Sequence, residues 1–229
     1  MRGESERGAA TRRRILRTAA DLFHKQGVGA TSPDEILEAS RAGKGQFYHY
    51  FGSKEGLVHQ VVLSYIEAVE SGGGPVNYEV RSWDDLERWF VAHIELQKHF
   101  RMLRGCPFGS IGHGVSEKDE LIRQDLSHLF EIIKNKLRAF FIAEQAQGKL
   151  TADADTERMA DFCIAAVQGA MLMGKVKRSP LPVEAAVKEA LAHLRRYVAV
   201  AASPPAVKVP SRKPRRPRQT PLRGWRPRL

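Results

Sequence analysis

Cysteine is nearly absent from this chain. Only Cys106 and Cys163 occur among 229 residues, far apart and in no CxxC pair. That excludes a disulfide scaffold and a multi-cysteine zinc site, and it fits a reducing cytosol. Long apolar runs are also missing. The longest, FCIAAVQGAMLMG at 162–174, is interrupted by Gln168 and reads as too short to span a bilayer. The opening MRGESERGAATRRR has no apolar centre and so is no signal peptide. These absences lead to the expectation of a soluble, cytoplasmic protein with no membrane partner. Catalytic signatures are lacking too. The eight histidines are scattered, no HExxH or serine-nucleophile motif occurs, and nothing pairs a nucleophile with a base. The reading is therefore of a non-enzyme with no catalytic residue, no metal ligands and no cofactor; an enzyme stands only as an alternative.

Acidic residues are missing from one stretch. Residues 203–229 hold nine Lys or Arg, no Asp or Glu, and seven of the twelve prolines. Such a segment cannot bury a core and is expected to be a disordered basic tail. It carries most of the +11 formal charge, leaving residues 1–202 at only +2. A high global pI would ordinarily suggest a polyanionic partner, but here it cannot establish what the folded part does. The tail is expected to add affinity for nucleic acid without sequence preference, or to act as a solubility extension.

Period-two alternation is absent over any useful length, whereas helical periodicity is nearly continuous, so an all-α fold is expected. A first helix at about 10–26 carries Ile15, Leu16, Ala19, Leu22 and Phe23 on one stripe, and Gly27 and Gly29 end it. Arg12, Arg13 and Arg14 are placed at its N-terminal end, where the helix dipole disfavours cations and an anionic partner could compensate. Ser32-Pro33-Asp34-Glu35 reads as a capping box opening a short second helix. A turn at 40–43 leads to another short helix. Ser53 caps a longer helix to about Ser71, and Gly72-Gly73-Gly74-Pro75 marks a domain boundary. Beyond it, helices are expected from Ser82 to about Arg104, at 117–146, at 153–177 and at 183–201, with a glycine-rich segment at 104–114.

Three short helices with a tight turn before the last make a helix-turn-helix candidate at about 32–51. Its final helix holds Phe47, Tyr48, His49, Tyr50 and Phe51 in succession. At 100° per residue the cluster divides. Phe47, Tyr50 and Phe51 face inward, while Gly45, Tyr48 and His49 face outward with Lys44 and Gln46. An exposed Lys, Gln, Tyr and His suit phosphate and base-edge contacts, and Gly45 lets a partner approach the backbone. Ordinary surface residues of a small helical domain remain the alternative from this pattern alone. A phosphate loop is excluded because the GxxxxGK[ST] spacing is absent.

The stretch TRRRILRTAADLFHKQGVGATSPDEILEASRAGKGQFYHYFGSKEGL resembles the DNA-binding domain of the tetracycline-repressor (TetR) family over about residues 9–69. The resemblance implies an all-helical homodimer with a helix-turn-helix domain at 9–69 and a helical ligand-binding and dimerisation domain at 76–202. It further implies repression at double-stranded operator DNA until a small molecule binds. Lys44, Gly45, Gln46, Tyr48 and His49 would then lie on the recognition helix, with Ser32 and Lys54 completing the DNA-binding set and Lys54 holding a phosphate. Two positions depart from the family pattern. Arg41 stands where the turn usually has glycine, and Gly43 where a serine usually caps. A left-handed conformation at Arg41 carries a cost.

In the second domain, Ala166, Gly169, Ala170 and Gly174 form a small-residue face, and Val187, Leu191, Leu194 and Val198 an apolar one. Both are candidate dimer surfaces, with intrasubunit packing as the alternative. Phe90, His93, Ile94, Gln97, Phe108, Phe130, Phe162, Gln168 and Met171 are candidate pocket residues. Pro107 suits a first helical position and so places Cys106 near an N-cap. A helix start with Arg101 and Arg104 nearby is expected to favour the thiolate. RGCPFGS and GAMLMGKVKRS also resemble the family branch typified by the N-ethylmaleimide-reductase repressor. That branch implies a reactive cysteine and a lysine on the penultimate helix, here Cys106 and Lys175, and an electrophile as effector. A small buried cysteine without chemistry is the alternative for Cys106. For the whole chain, a nonspecific nucleic-acid binder driven by the tail is the alternative function.

Overall fold

The computed structural model describes residues 5–116 and 118–199, so the basic stretch at 203–229 lies outside the described residues. The described residues form α1 (Glu6–Gln26), α2 (Pro33–Ser40), α3 (Lys44–Phe51), α4 (Lys54–Ser71), α5 (Trp83–His99), α6 (Pro107–Gly112), α7 (Glu120–Ala146), α8 (Thr156–Lys177) and α9 (Leu181–Arg195). The expected all-α class holds, with one isolated antiparallel bridge between Leu150 and Val198.

Local chemistry sets the helix boundaries, and it moves several from their expected places. Ser5 caps α1 by accepting from the Gly8 N–H at 3.2 Å, so the helix begins at Glu6. Arg12, Arg13 and Arg14 therefore lie in its second and third turns, and the dipole argument for an anion there lapses. Arg12 instead donates to Gln60 at 2.5 Å and Arg14 to the Ser40 carbonyl at 2.6 Å. At α2, Ser32 accepts from the Glu35 N–H at 3.1 Å, but the reciprocal half of the capping box is not made. The Glu35 carboxylate is held by Gln26 at 2.9 and 3.0 Å. α5 ends five residues before Arg104, because Arg101 and Met102 both turn left-handed at φ 51° and 58°. α9 stops at Arg195, since the chain then bends to pair with 149–151, Ala199 donating to the Lys149 carbonyl at 2.8 Å.

Packing unites the segments on either side of the 72–75 break. α4 lies along α7, and α1 packs on α6. His59 of α4 meets the Asp125 carboxylate of α7 at 2.5 Å across this contact. Phe23, Phe47, Ile15, Ile36 and Leu57 are fully buried on the N-terminal side, and Phe90, Leu86, Leu129 and Phe141 on the other. Each such side chain contributes about 1.5–3 kcal/mol relative to exposure.

α8 sits among α5, α7 and α9. It is 22 residues long and apolar enough to cross a membrane by length and composition, unlike the shorter run read from sequence. Its Cys163, Val167, Ala170, Met171 and Gly174 are buried in the protein core. Gly174 has a packing reason: a Cβ there would stand 2.7 Å from Val183 Cγ2 of α9. Four of the expected dimer residues, Ala170, Gly174, Val187 and Leu194, are thus spent on packing within one chain. The outward stripe of α8 keeps Gly169 of the expected face and adds Phe162, Met173 and Val176.

Candidate DNA-reading helix and effector cavities

The turn before α3 is built against local preference. Arg41 closes α2 in the left-handed region at φ 50°, ψ 45°, where glycine would sit without strain. Its N–H bonds the Glu38 carbonyl at 3.1 Å. Gly43 then supplies the N-cap of α3 without a side-chain acceptor. Gln46 compensates: its side-chain oxygen accepts from the Gly43 N–H at 3.1 Å, while its own N–H donates to the Gly43 carbonyl at 3.0 Å. The amide NH2 of Gln46 is not used in this cap.

α3 divides as its periodicity predicts. Phe47 and Phe51 are buried against α1, α2 and α4, and Tyr50 is half-buried. Lys44, Gly45, Gln46, Tyr48 and His49 are exposed together, and a Cβ at Gly45 would meet nothing within 4 Å. Ser32 is exposed with its hydroxyl engaged in capping α2. Lys54 opens α4, half-buried, on the rim of a groove that also contains Asp119 at the start of α7.

Cys106 is the N-cap of α6 with Pro107 at the first helical position, as read from sequence. Its electrostatics are the reverse of that reading. The residue is buried, and burial pushes the thiol above its ordinary range; hydrogen bonds from the Gly109 and Phe108 N–H groups and from Gln168 only partly oppose this. The arginines do not favour the thiolate here. Arg101 is exposed on the left-handed turn. Arg104 pairs with Asp21 of α1 at 2.6 Å and lies 4.4 Å over the Phe100 ring. The resting thiol is neutral, accepting from Gln168 Nε2 at 3.2 Å. Cys163 is fully buried and its thiol is also pushed up by desolvation.

Cys106 and Lys175, 69 positions apart, line one cavity of about 210 Å³ with Gly109, Ser110, His113 and Gln168. Cys106 also borders a second cavity, of about 260 Å³, between α1, α4, α5 and α6. Of the expected pocket residues, His93, Phe108 and Met171 line this second space. Phe90, Ile94 and Gln97 are core, and Phe162 is partly exposed beside His193. Sequence reasoning missed Tyr65, Tyr78, Asp21 and His24 on the same wall. No periodic signal singles them out, because they converge only when α1, α4 and the segment before α5 fold together. His24 links the regions: its Nε2–H donates to the Gly105 carbonyl at 2.8 Å, one residue from Cys106.

A short helix with a buried aromatic face, an exposed polar face and three supporting helices defines a helix-turn-helix DNA-binding protein. The comparisons agree. Residues 15–61 match the family model described as bacterial regulatory proteins, tetR family, and residues 84–190 match the tetracyclin repressor-like C-terminal domain. The HTH-type transcriptional repressor DhaR of Mycobacterium sp. (strain GP1) is 26% identical over 76% of this chain and 86% of its own length. The HTH-type transcriptional repressor NemR of Escherichia coli (strain K12) is 27% identical over 84% of this chain and 96% of its own. The crystal structure of the regulatory protein TetR from Rhodobacter sphaeroides superposes with a TM-score of 0.67 at 25% identity, covering 79% of this chain and 97% of that one. The chain belongs to the TetR family and is a DNA-binding transcriptional regulator of the repressor kind.

Proposed function

We propose that the protein represses transcription in the cytoplasm as a homodimer, placing one α3 from each subunit in successive major grooves of an operator. It acts by binding rather than by turnover. The observation that carries this reading is the single exposed face of α3, where Lys44, Gln46, Tyr48 and His49 surround the open backbone of Gly45. Gln46 reads a base edge with its unused amide NH2, and Lys44, Tyr48 and His49 share the base and phosphate contacts. Ser32 and Lys54, at two helix starts, take backbone phosphates. The subunits join through the outward stripes of α8 and α9, in a four-helix contact about a twofold axis.

Release from DNA follows either from a small molecule bound in the protein or from an electrophile or oxidant at Cys106. New bulk on Cys106 presses on Gly105, and through the Gly105–His24 bond on α1, which packs against α3. Lys175, on the same cavity, supplies the positive charge that a thiolate there needs. The experiment is selection of bound genomic duplexes, followed by titration of the selected operator with variants. Lys54→Ala weakens all sequences alike and lowers the salt slope by about one ion. Gln46→Ala changes preference at one base position, at about 1–3 kcal/mol. If neither substitution alters binding by the folded protein, α3 is not the reading element.

A further inference from the structure

We infer that the cavity between α1, α4, α5 and α6 takes a neutral, mostly apolar molecule of one or two rings, carrying a carbonyl-type oxygen that the Tyr65 and Tyr78 hydroxyls bind. Size sets the first limit. The space is about 260 Å³, against about 150 Å³ for an apolar protein cavity that accepts benzene. A ring with substituents, or a compact bicycle, fits.

The polar groups on the wall set the second limit. Tyr65 and Tyr78 bring two phenol hydroxyls to it, and neither makes a hydrogen bond among the described residues. Burial pushes both phenols upward, so each keeps its proton and remains a donor. Neither oxygen is among the fully buried, unpartnered polar atoms of the described residues. Each keeps open surface beside the cavity, where an acceptor oxygen on a ligand gives it the partner that the apolar lining does not.

Charge sets the third. Asp21 and Arg104 neutralise each other at 2.6 Å. His24 is driven neutral chiefly by burial and spends its Nε2–H on Gly105. His93 donates from Nδ1 to the Trp89 carbonyl at 2.7 Å and is lowered to about 4 by burial. The Cys106 thiol is held protonated by burial. Every ionisable group on this wall is therefore neutral or already paired. An anion or cation entering the cavity loses its hydration and gains no counter-charge.

The position explains the consequence, and this part rests on the regulator reading. The wall includes Ala20 and His24 of α1 and Tyr65 and Val69 of α4, and both helices support α3. An occupant thus touches the two helices that orient the DNA-reading element.

The test is calorimetric titration of the full-length chain, without DNA, against acetophenone, ethylbenzene and benzoate. The three probes share a ring and differ in acceptor oxygen and charge. Acetophenone also lacks the electrophilic reactivity that would engage Cys106. We expect acetophenone to bind and benzoate to bind at least about tenfold more weakly. Tyr65→Phe and Tyr78→Phe together should weaken acetophenone about three- to tenfold, to the level of ethylbenzene, whose own affinity stays unchanged. Phenylalanine keeps the packing of the Tyr65 ring against Phe108, 5.2 Å between centroids, and a thermal melt verifies the fold. Benzoate binding as tightly as acetophenone, full acetophenone affinity in the double variant, or no saturable acetophenone binding each overturns the inference. Such failures leave the operator reading standing. Failure of the unliganded protein to select any operator sinks that reading and leaves the cavity assignment intact.

Discussion

Two glycines, eleven positions apart, should respond oppositely to the same added methyl group. Gly45 is exposed in the first turn of α3, and a Cβ there would meet nothing within 4 Å. Alanine at this position should stabilise the free protein by about 0.5–1 kcal/mol through helix propensity. For a chain of this size that raises Tm by roughly 1–4 °C. On DNA the sign reverses, because the methyl occupies the space through which the backbone approaches the groove. Overlap of this kind costs about 1–3 kcal/mol, or about 5- to 150-fold in affinity. Gly56, at the third position of α4, is the contrast. A Cβ there would overlap the Phe51 carbonyl oxygen and stand 3.3 Å from its carbonyl carbon. Both atoms are backbone, so no rotamer change relieves the overlap, and α3 must shift away from α4. Gly56→Ala should therefore lower stability by about 1–3 kcal/mol despite its better propensity. The assay is a thermal melt of each variant beside titration of the selected operator. Gly45→Ala with undiminished operator affinity would refute close approach at α3. Gly56→Ala with a raised Tm would refute the packing argument.

Acid stability should depend on His93, which burial lowers to about 4 from 6.5. As pH falls through that window the unfolded chain binds a proton that the folded one refuses, so stability present above 6.5 is lost, by about 3 kcal/mol at 4. Urea melts between pH 7 and 4 should show this slope flattened in His93→Gln. The α8 stripe is tested by Met173→Glu with Val176→Glu, residues 43% and 70% exposed in the single chain. Sedimentation should show monomers with an unchanged melt of the helical signal, and a persistent dimer would move the interface elsewhere. A mild electrophile should release wild-type and Cys163→Ser protein from operator but not Cys106→Ser. Release that instead survives in Cys106→Ser and disappears in Cys163→Ser would refute Cys106 as the switch and move it to Cys163.

Much of the N-terminal fold was legible because its signals are local. Ser32 before Pro33, Ser53 before Lys54, and an aromatic pair at i and i+4 in Phe47 and Phe51 each act within one or two turns. The helix ends that misled are those decided by partners distant in sequence. Arg101 and Met102 leave the helical region although nothing in their periodicity requires it. The end of α9 depends on residues 149–151, almost fifty positions earlier. Glu35 completes no capping box because Gln26 reaches it first.

By itself the sequence determined the all-helical class, the division of α3 into buried and exposed faces, and the placing of Cys106 at a helix start. Each depends on spacing along one element, where 3.6 residues per turn converts order directly into geometry. Only the tertiary structure decided which small residues on α8 meet α9 and which face outward. It alone made the Cys106 thiol neutral, because burial by surrounding elements outweighs the hydrogen bonds that favour its charged form. It alone brought Tyr65, Tyr78 and His93 to one wall on which the charged groups are paired. Desolvation and long-range convergence are properties of the packed chain, and no local pattern encodes them.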